Sequence, residues 1–199
     1  EVAIINFPDV WGWDSGRTRL YSDSLAKYGC RVYIPKVLEP TLEGGTDGDG
    51  LPPNFDIEAA TLKFPVKYEE SMNQVLCQEM LRYNGLLTVV RESLQNLGKA
   101  LAGLIVMSGS LEKVFNAMVL GAVPELWKGK SFPSLKSLGS YTNDLMERLS
   151  MFTSWYESGQ PTTFWLPGFF FTPSFTTAAL QNFSRKHTLA IDKVALTFE

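Results

Sequence analysis

Through the middle of this chain runs a series of apolar residues spaced alternately by four and three: Leu76, Met80, Tyr83, Leu87, Val90, Leu94, Leu97, Leu101 and Leu104. That spacing keeps one seam of a helix apolar over about four heptads. A seam this long has to be covered, and other helices of the same chain are the economical partners. Gly85, Gly98 and Gly103 fall within the stretch. Each costs about 1 kcal/mol against Ala in a helix interior, so bends or breaks are expected there.

Further helices follow in the sequence. Ser108 or Ser110 is placed to cap one carrying Leu111, Val114, Phe115, Met118 and Val119, ending near Gly121. Ser140 is placed to cap another, with Asp144 in its first turns where the macrodipole favours negative charge. Its apolar stripe is Tyr141, Leu145, Leu149, Phe152 and Tyr156, and Gly159 with Pro161 ends it. Thr172-Pro173 reads as the N-cap and first position of a fourth helix bearing Phe175, Ala179 and Phe183. Between the last two helices lie Phe164, Trp165 and Phe169, Phe170, Phe171, on either side of Pro167-Gly168. These rings, with Trp127, are the candidate packing or interface residues. Residues 191–198 are read as the start of a strand.

The first 40 residues follow a different pattern. Val2 to Phe7 and Cys30 to Ile34 are short β-rich runs, stopped by Pro8 and Pro35, with a capped helix over roughly 15–28 and Gly29 at its end. One β-α-β unit is the simplest reading. Residues 39–56 are rich in Gly, Pro and Asp and read as a loop. Asp47-x-Asp49-Gly50 matches only part of a calcium loop, since the later ligands and the closing Glu are missing. Early proteolytic cuts are expected near Gly44 to Gly50. The expected fold is therefore mainly α, a helical array with one long heptad-patterned helix, preceded by a small β-α-β fragment. Its divisions are a fragment at 1–38, a linker at 39–67 and a helical region at 68–199.

Composition narrows the function. With 45% hydrophobic and 20% charged residues, the chain has the make-up of a globular protein. A net charge of −3 argues against a polyanion-binding surface spread over the whole domain while leaving room for a local basic patch; no nucleic-acid partner is expected. No apolar run reaches 18 residues, so no membrane partner is expected. Cys30 and Cys77 have no metal-ligand spacing and read as small apolar side chains. His187 is the only histidine and sits where a C-terminal cation suits a helix end. Glu69-Glu70 and Glu147-Arg148 read as solvated helix faces. There is no GxxxxGK[ST] loop to cradle a nucleotide, no GxSxG elbow and no HExxH. No catalytic, cofactor-binding or metal-binding residue is assigned, and no cofactor is expected. The chain opens at Glu1-Val2-Ala3 and stops at Thr197-Phe198-Glu199, and it reads as cut from something longer.

The sequence carries two resemblances. Leu51-Pro52-Pro53-Asn54-Phe55-Asp56, Phe64-Pro65-Val66-Lys67-Tyr68-Glu69-Glu70-Ser71-Met72-Asn73, Val123-Pro124-Glu125-Leu126-Trp127, Leu138-Gly139-Ser140-Tyr141 and Phe164-Trp165-Leu166-Pro167-Gly168-Phe169-Phe170-Phe171 are collinear and individually unusual. Through them, residues from about 51 to 199 resemble the C-terminal region of a dynein heavy chain. The resemblance implies a place beside the sixth AAA+ module of a minus-end-directed microtubule motor, where the segment braces and regulates the ring. It implies ATP turnover elsewhere, in modules this chain does not contain. The partners implied are the remaining ring modules and dynein complex subunits, with microtubules met only indirectly. The wording is closer to axonemal than to cytoplasmic dyneins, which implies the cytoskeleton of a cilium or flagellum. Residues 1–50, through Phe7-Pro8-Asp9-Val10-Trp11-Gly12-Trp13 and Tyr28-Gly29-Cys30-Arg31-Val32-Tyr33-Ile34-Pro35, resemble the start of a dienelactone-hydrolase-like enzyme. That likeness implies an oxyanion donor near Val10, while the family's nucleophile, acid and His lie in sequence this chain lacks. The alternatives are thus a truncated hydrolase, expected to be inactive, and a helical module that binds partners through the Phe164–Phe171 cluster.

Overall fold

The computed structural model describes residues 3–5, 31–33 and 51–196. Strands β1 (Ala3–Ile5) and β2 (Arg31–Tyr33) pair in parallel, with Ala3 opposite Arg31 and Ile5 opposite Tyr33. Both fall in the expected β-rich runs. The intervening helix, the Gly-rich loop and its partial calcium motif lie outside the described residues.

Six helices follow among the described residues: α1 (Ile57–Lys63), α2 (Ser71–Leu101), α3 (Gly109–Val119), α4 (Glu125–Lys128), α5 (Leu138–Ser158) and α6 (Thr172–His187). Single 3-10 turns, Leu166–Gly168 and Ile191–Lys193, flank α6 in the chain. The helical array expected from the seam is what forms. The strand expected over 191–198 is not present in its described part, which opens with a 3-10 turn instead.

α2 has 31 residues and spans about 45 Å at 1.5 Å per residue. It runs unbroken through Gly85 and Gly98, because packing along the seam outweighs the propensity cost of two glycines. Gly103, at φ +74°, comes just after its end. There Gly103 N–H donates to Ala100 O (3.0 Å) and Leu104 N–H to Lys99 O (2.9 Å), the paired bonds of a Schellman cap. From Leu76 to Leu97 every seam residue is buried, but Leu101 and Leu104 are exposed, since the helix ends before the pattern does.

Local chemistry explains most other boundaries. Asp56 caps α1 by accepting from Ala59 N–H at 2.9 Å, inside a stretch whose composition reads as linker. Ser108 caps α3 through Leu111 N–H (3.3 Å). α5 begins two residues before Ser140, so Ser140 is not its cap and Asp144 lies beyond the first turn. Asp144 is instead buried and paired with Lys136 at 3.0 Å. α4 is a single turn, too short for any apolar period to announce it.

The described residues divide into two compact units, one holding those up to Pro53 with Leu86–Asp144, the other Asn54–Gly85 with those from Leu145 onward. In the first, Leu87, Val90, Leu94, Trp127, Leu138 and Tyr141 form the core. Trp127 is fully enclosed, and its indole N–H donates to Ser93 Oγ (2.8 Å), which donates onward to Val90 O (2.8 Å). Phe132 stacks on Tyr141 at 5.4 Å, and Arg91 ties α2 to Pro52 O (2.7 Å).

In the second unit, Leu76, Met80, Tyr83, Leu149, Phe152 and Trp155 are buried. Asn84 grips the backbone of Phe55 on both sides, accepting from its N–H (2.7 Å) and donating to its carbonyl (2.8 Å). Lys63 places its ammonium on the carbonyls of Tyr156 and Glu157 (2.5 and 3.2 Å), at the end of α5 where the helix dipole favours a cation. Ser71, which opens α2, is bound by Asn182, Gln181 and Arg185 of α6.

Candidate functional site: the pinned aromatic turn

The aromatic segment between α5 and α6 is a turn held from several sides. Pro167 lies within a 3-10 turn, where its fixed φ is accommodated, and Phe169 N–H closes that turn on Leu166 O at 3.1 Å. Gly168 is required by space. A Cβ there would lie 2.7 Å from Trp165 Cε3 and 2.9 Å from Met151 Cε. Tyr83 of α2 donates its hydroxyl to Gly168 O at 2.7 Å, in a fully buried position.

Glu79 supplies the second hold. It is completely buried on α2. Its carboxylate accepts from the backbone N–H groups of Phe170 and Phe171, the latter at 3.2 Å, and from Arg82 Nη1 at 2.7 Å. Phe171 is the N-cap position of α6, and its own side group makes no capping hydrogen bond. α6 therefore begins one residue earlier than the Thr172-Pro173 pair suggests. A distant carboxylate meets one of its orphan donors and carries negative charge to the positive end of the dipole.

The candidate rings separate by environment. Phe169 is buried, edge-on to Phe152 at 5.5 Å and 4.7 Å from Phe175. Phe164 and Phe170 are half-buried; Phe164 meets Trp155 (5.2 Å) and Phe175 (4.8 Å), and Phe170 stands edge-on to Tyr83 (5.4 Å). Trp165 and Phe171 remain 38% and 49% exposed. Each carries a guanidinium over its ring, Arg148 at 5.3 Å and Arg82 at 5.2 Å. The structure brings these five rings together in one unit, while Trp127 belongs to the core of the other.

Two expectations need correction. Glu147 is on a solvated face, but its neighbour Arg148 is only 8% exposed and lies against Trp165. The stripe expected on α6 is displaced: Ala178 and Ser184 are buried, whereas Phe183 is exposed and stacks with His187 at 4.3 Å. Glu79, Tyr83 as a hydrogen-bond donor and Trp155 were not singled out by sequence as site residues. The available signal for Glu79 was its place beside the seam, three residues after Leu76 and one before Met80, with Arg82 one turn on.

Burial pushes the Cys77 thiol up, against a smaller opposing effect of its hydrogen bond with Thr61. An attacking thiolate requires the reverse. His187 closes α6 in a last turn shared with Arg185 and Lys186, as its position in the sequence suggests. Among the described residues, no cluster of three His, Cys, Asp or Glu side chains is placed to hold a metal ion, and no helix is long and apolar enough to cross a membrane.

Comparison with known proteins decides the family. The C-terminal domain of dynein heavy chains matches residues 36–199. This protein belongs to that dynein family. Dynein axonemal heavy chain 12 of Mus musculus is 51% identical over 149 residues, covering 75% of this chain and 5% of that protein. Dynein axonemal heavy chain 3 of Homo sapiens is 52% identical over the same length, covering 75% and 4%, and dynein axonemal heavy chain 1 of Rattus norvegicus is 48% identical, covering 75% and 3%. The chain thus spans 3–5% of the length of these dynein relatives. The family match starts at residue 36, ahead of the Leu51 at which the dynein motifs become readable. None of these matches supports the hydrolase-like reading of residues 1–50.

Proposed function

We propose that this chain acts as a non-catalytic structural and regulatory segment of an axonemal dynein heavy chain. It braces the AAA+ ring of a minus-end-directed, ATP-driven microtubule motor, beside the sixth module, and turns over no nucleotide itself. Its location is the cytoskeleton of the axoneme, the setting named in relatives at about half identity. Its partners are the other ring modules and the subunits of the dynein complex, with microtubules reached only through the rest of the motor. Residues 68–199 are the working part, joined through 39–67 to the segment 1–38.

The observation that carries this reading is the dynein match over residues 36–199. The pinned turn supports it. Glu79, completely enclosed, has its oxygens taken up by Phe170 N–H, Phe171 N–H and Arg82, so it is spent on holding structure. The truncated hydrolase has only the parallel β1–β2 pairing in its favour, which any β-α-β unit provides.

The test is reconstitution. The purified 199-residue protein is added to an axonemal dynein motor lacking the corresponding C-terminal segment, and the mixture is examined by cryo-electron microscopy and cross-linking. Docking against the ring is expected. A protein that stays free at micromolar concentrations would count against the function.

A further inference from the structure

α6 runs antiparallel to the start of α2, with its N-terminus at Glu79 and its last turns at Ser71. The hold at Ser71 is polar. Ser71 N–H donates to Asn182 Oδ1 (3.0 Å), the Ser71 hydroxyl donates to Gln181 Oε1 (2.9 Å), and Arg185 Nη1 donates to Ser71 Oγ (2.6 Å) and to Tyr68 O. The Arg185 guanidinium also lies 4.0 Å over the Tyr68 ring. The apolar hold is slight by comparison. Of the 16 residues of α6 only Ala178 and Ser184 are buried, whereas α5 buries Leu138, Tyr141, Leu145, Leu149, Phe152 and Trp155. The Ser184 hydroxyl is enclosed without a hydrogen-bond partner, which weakens the closed state by the lost hydration of that group. Thr188, in the left-handed region at φ 54°, adds backbone strain at the same end.

We propose that α6 is a releasable strap, which lifts from the start of α2 while α2 and α5 stay folded. It pivots at the aromatic turn, where Tyr83 holds Gly168 O and Glu79 holds the N–H groups of Phe170 and Phe171. It lets go at Ser71. The groups parted there are amide, hydroxyl and guanidinium, all of which water satisfies in the open state, so their separation costs far less than baring an apolar seam. A lifted helix of 16 residues is marginal in water, so the released part of α6 loses its helical hydrogen bonds. Opening frees Tyr68 and Ser71, and their accessibility is then set by a local equilibrium and not by unfolding of the molecule. Few buried apolar contacts together with stored strain are what place a segment at the low-stability end of a fold.

Native-state hydrogen exchange on the full 199-residue protein tests this, with residues 178–187 of α6 compared with residues 76–84 of α2. Protection at 178–187 is expected to be about tenfold or more below that at 76–84. It should hardly change with urea short of the unfolding transition, while protection at 76–84 falls steeply, because a local opening exposes little surface. Leu149→Ala, which hollows the core at α5, should lower protection at 76–84 by about tenfold or more and at 178–187 by less than about twofold. Arg185→Met removes the guanidinium from Ser71 and should lower protection at 178–187 by about fivefold or more. Equal protection in the two segments, with one urea slope and one loss in Leu149→Ala, would show that α6 opens only with the whole fold and overturn the proposal. If Leu149→Ala does not fold, the two urea slopes of the unaltered protein decide. Unchanged protection at 178–187 in Arg185→Met would equally overturn release at Ser71.

Discussion

At Glu79 a carboxylate enclosed by α2 and the aromatic turn meets two backbone N–H groups and a guanidinium. Removing it takes the acceptor away from donors that are partly buried. Glu79→Ala is therefore expected to cost about 2–4 kcal/mol of stability, read from the midpoint of urea unfolding. Glu79→Gln keeps an acceptor and should cost less than the alanine. Gly168→Ala drives a methyl group into Trp165 and Met151, and a loss of about 1–3 kcal/mol is expected in the same assay. Neither residue was legible in its role beforehand. The pattern around Glu79 records a polar residue flanking an apolar seam, but its backbone partners are 91 and 92 positions away in the chain. The ring-rich segment itself was plain to see. Which of its rings turn inward was not, because that depends on the close approach at Gly168 and on Arg148 and Arg82 covering Trp165 and Phe171.

Elements are set by a balance of local preference and packing, and α2 shows which prevails. Gly85 sits exposed inside it with nothing within 4 Å of a built Cβ. Gly85→Ala is expected to raise stability by about 0.5–1 kcal/mol, measured by thermal unfolding, since alanine lowers the entropy of the unfolded state and fits the helix. The end of α6 offers the opposite case. Thr188 holds φ 54°, a left-handed conformation that a β-branched residue adopts at a cost, while its N–H and that of Leu189 close the helix on Arg185 O and Ser184 O. Thr188→Gly should therefore stabilise the protein by up to about 1 kcal/mol in the same measurement. A loss would show that the side chain of Thr188 supplies something its conformation conceals. Heptad spacing made α2 readable, and Ser108 made the start of α3 readable. α1 and α4 escaped because seven and four residues are too few to display a period. The start of α6 was displaced by one residue because its N-terminus is served by Glu79 from another helix, and no local cap signal reports that.

For the whole molecule, the dynein motifs were the most informative part of the sequence, and the family match extends their reach to residue 36. Under the function proposed above, ATP turnover belongs to ring modules outside this segment. The decisive measurement is ATPase activity in a motor lacking the corresponding segment, with and without the purified protein, beside the protein alone. The account predicts that the protein alone hydrolyses nothing above buffer and that adding it changes the motor's rate, saturably and in proportion to docking. Hydrolysis by the isolated protein that disappears on altering one of its own side chains, or a motor rate unaffected by the docked protein, would contradict it.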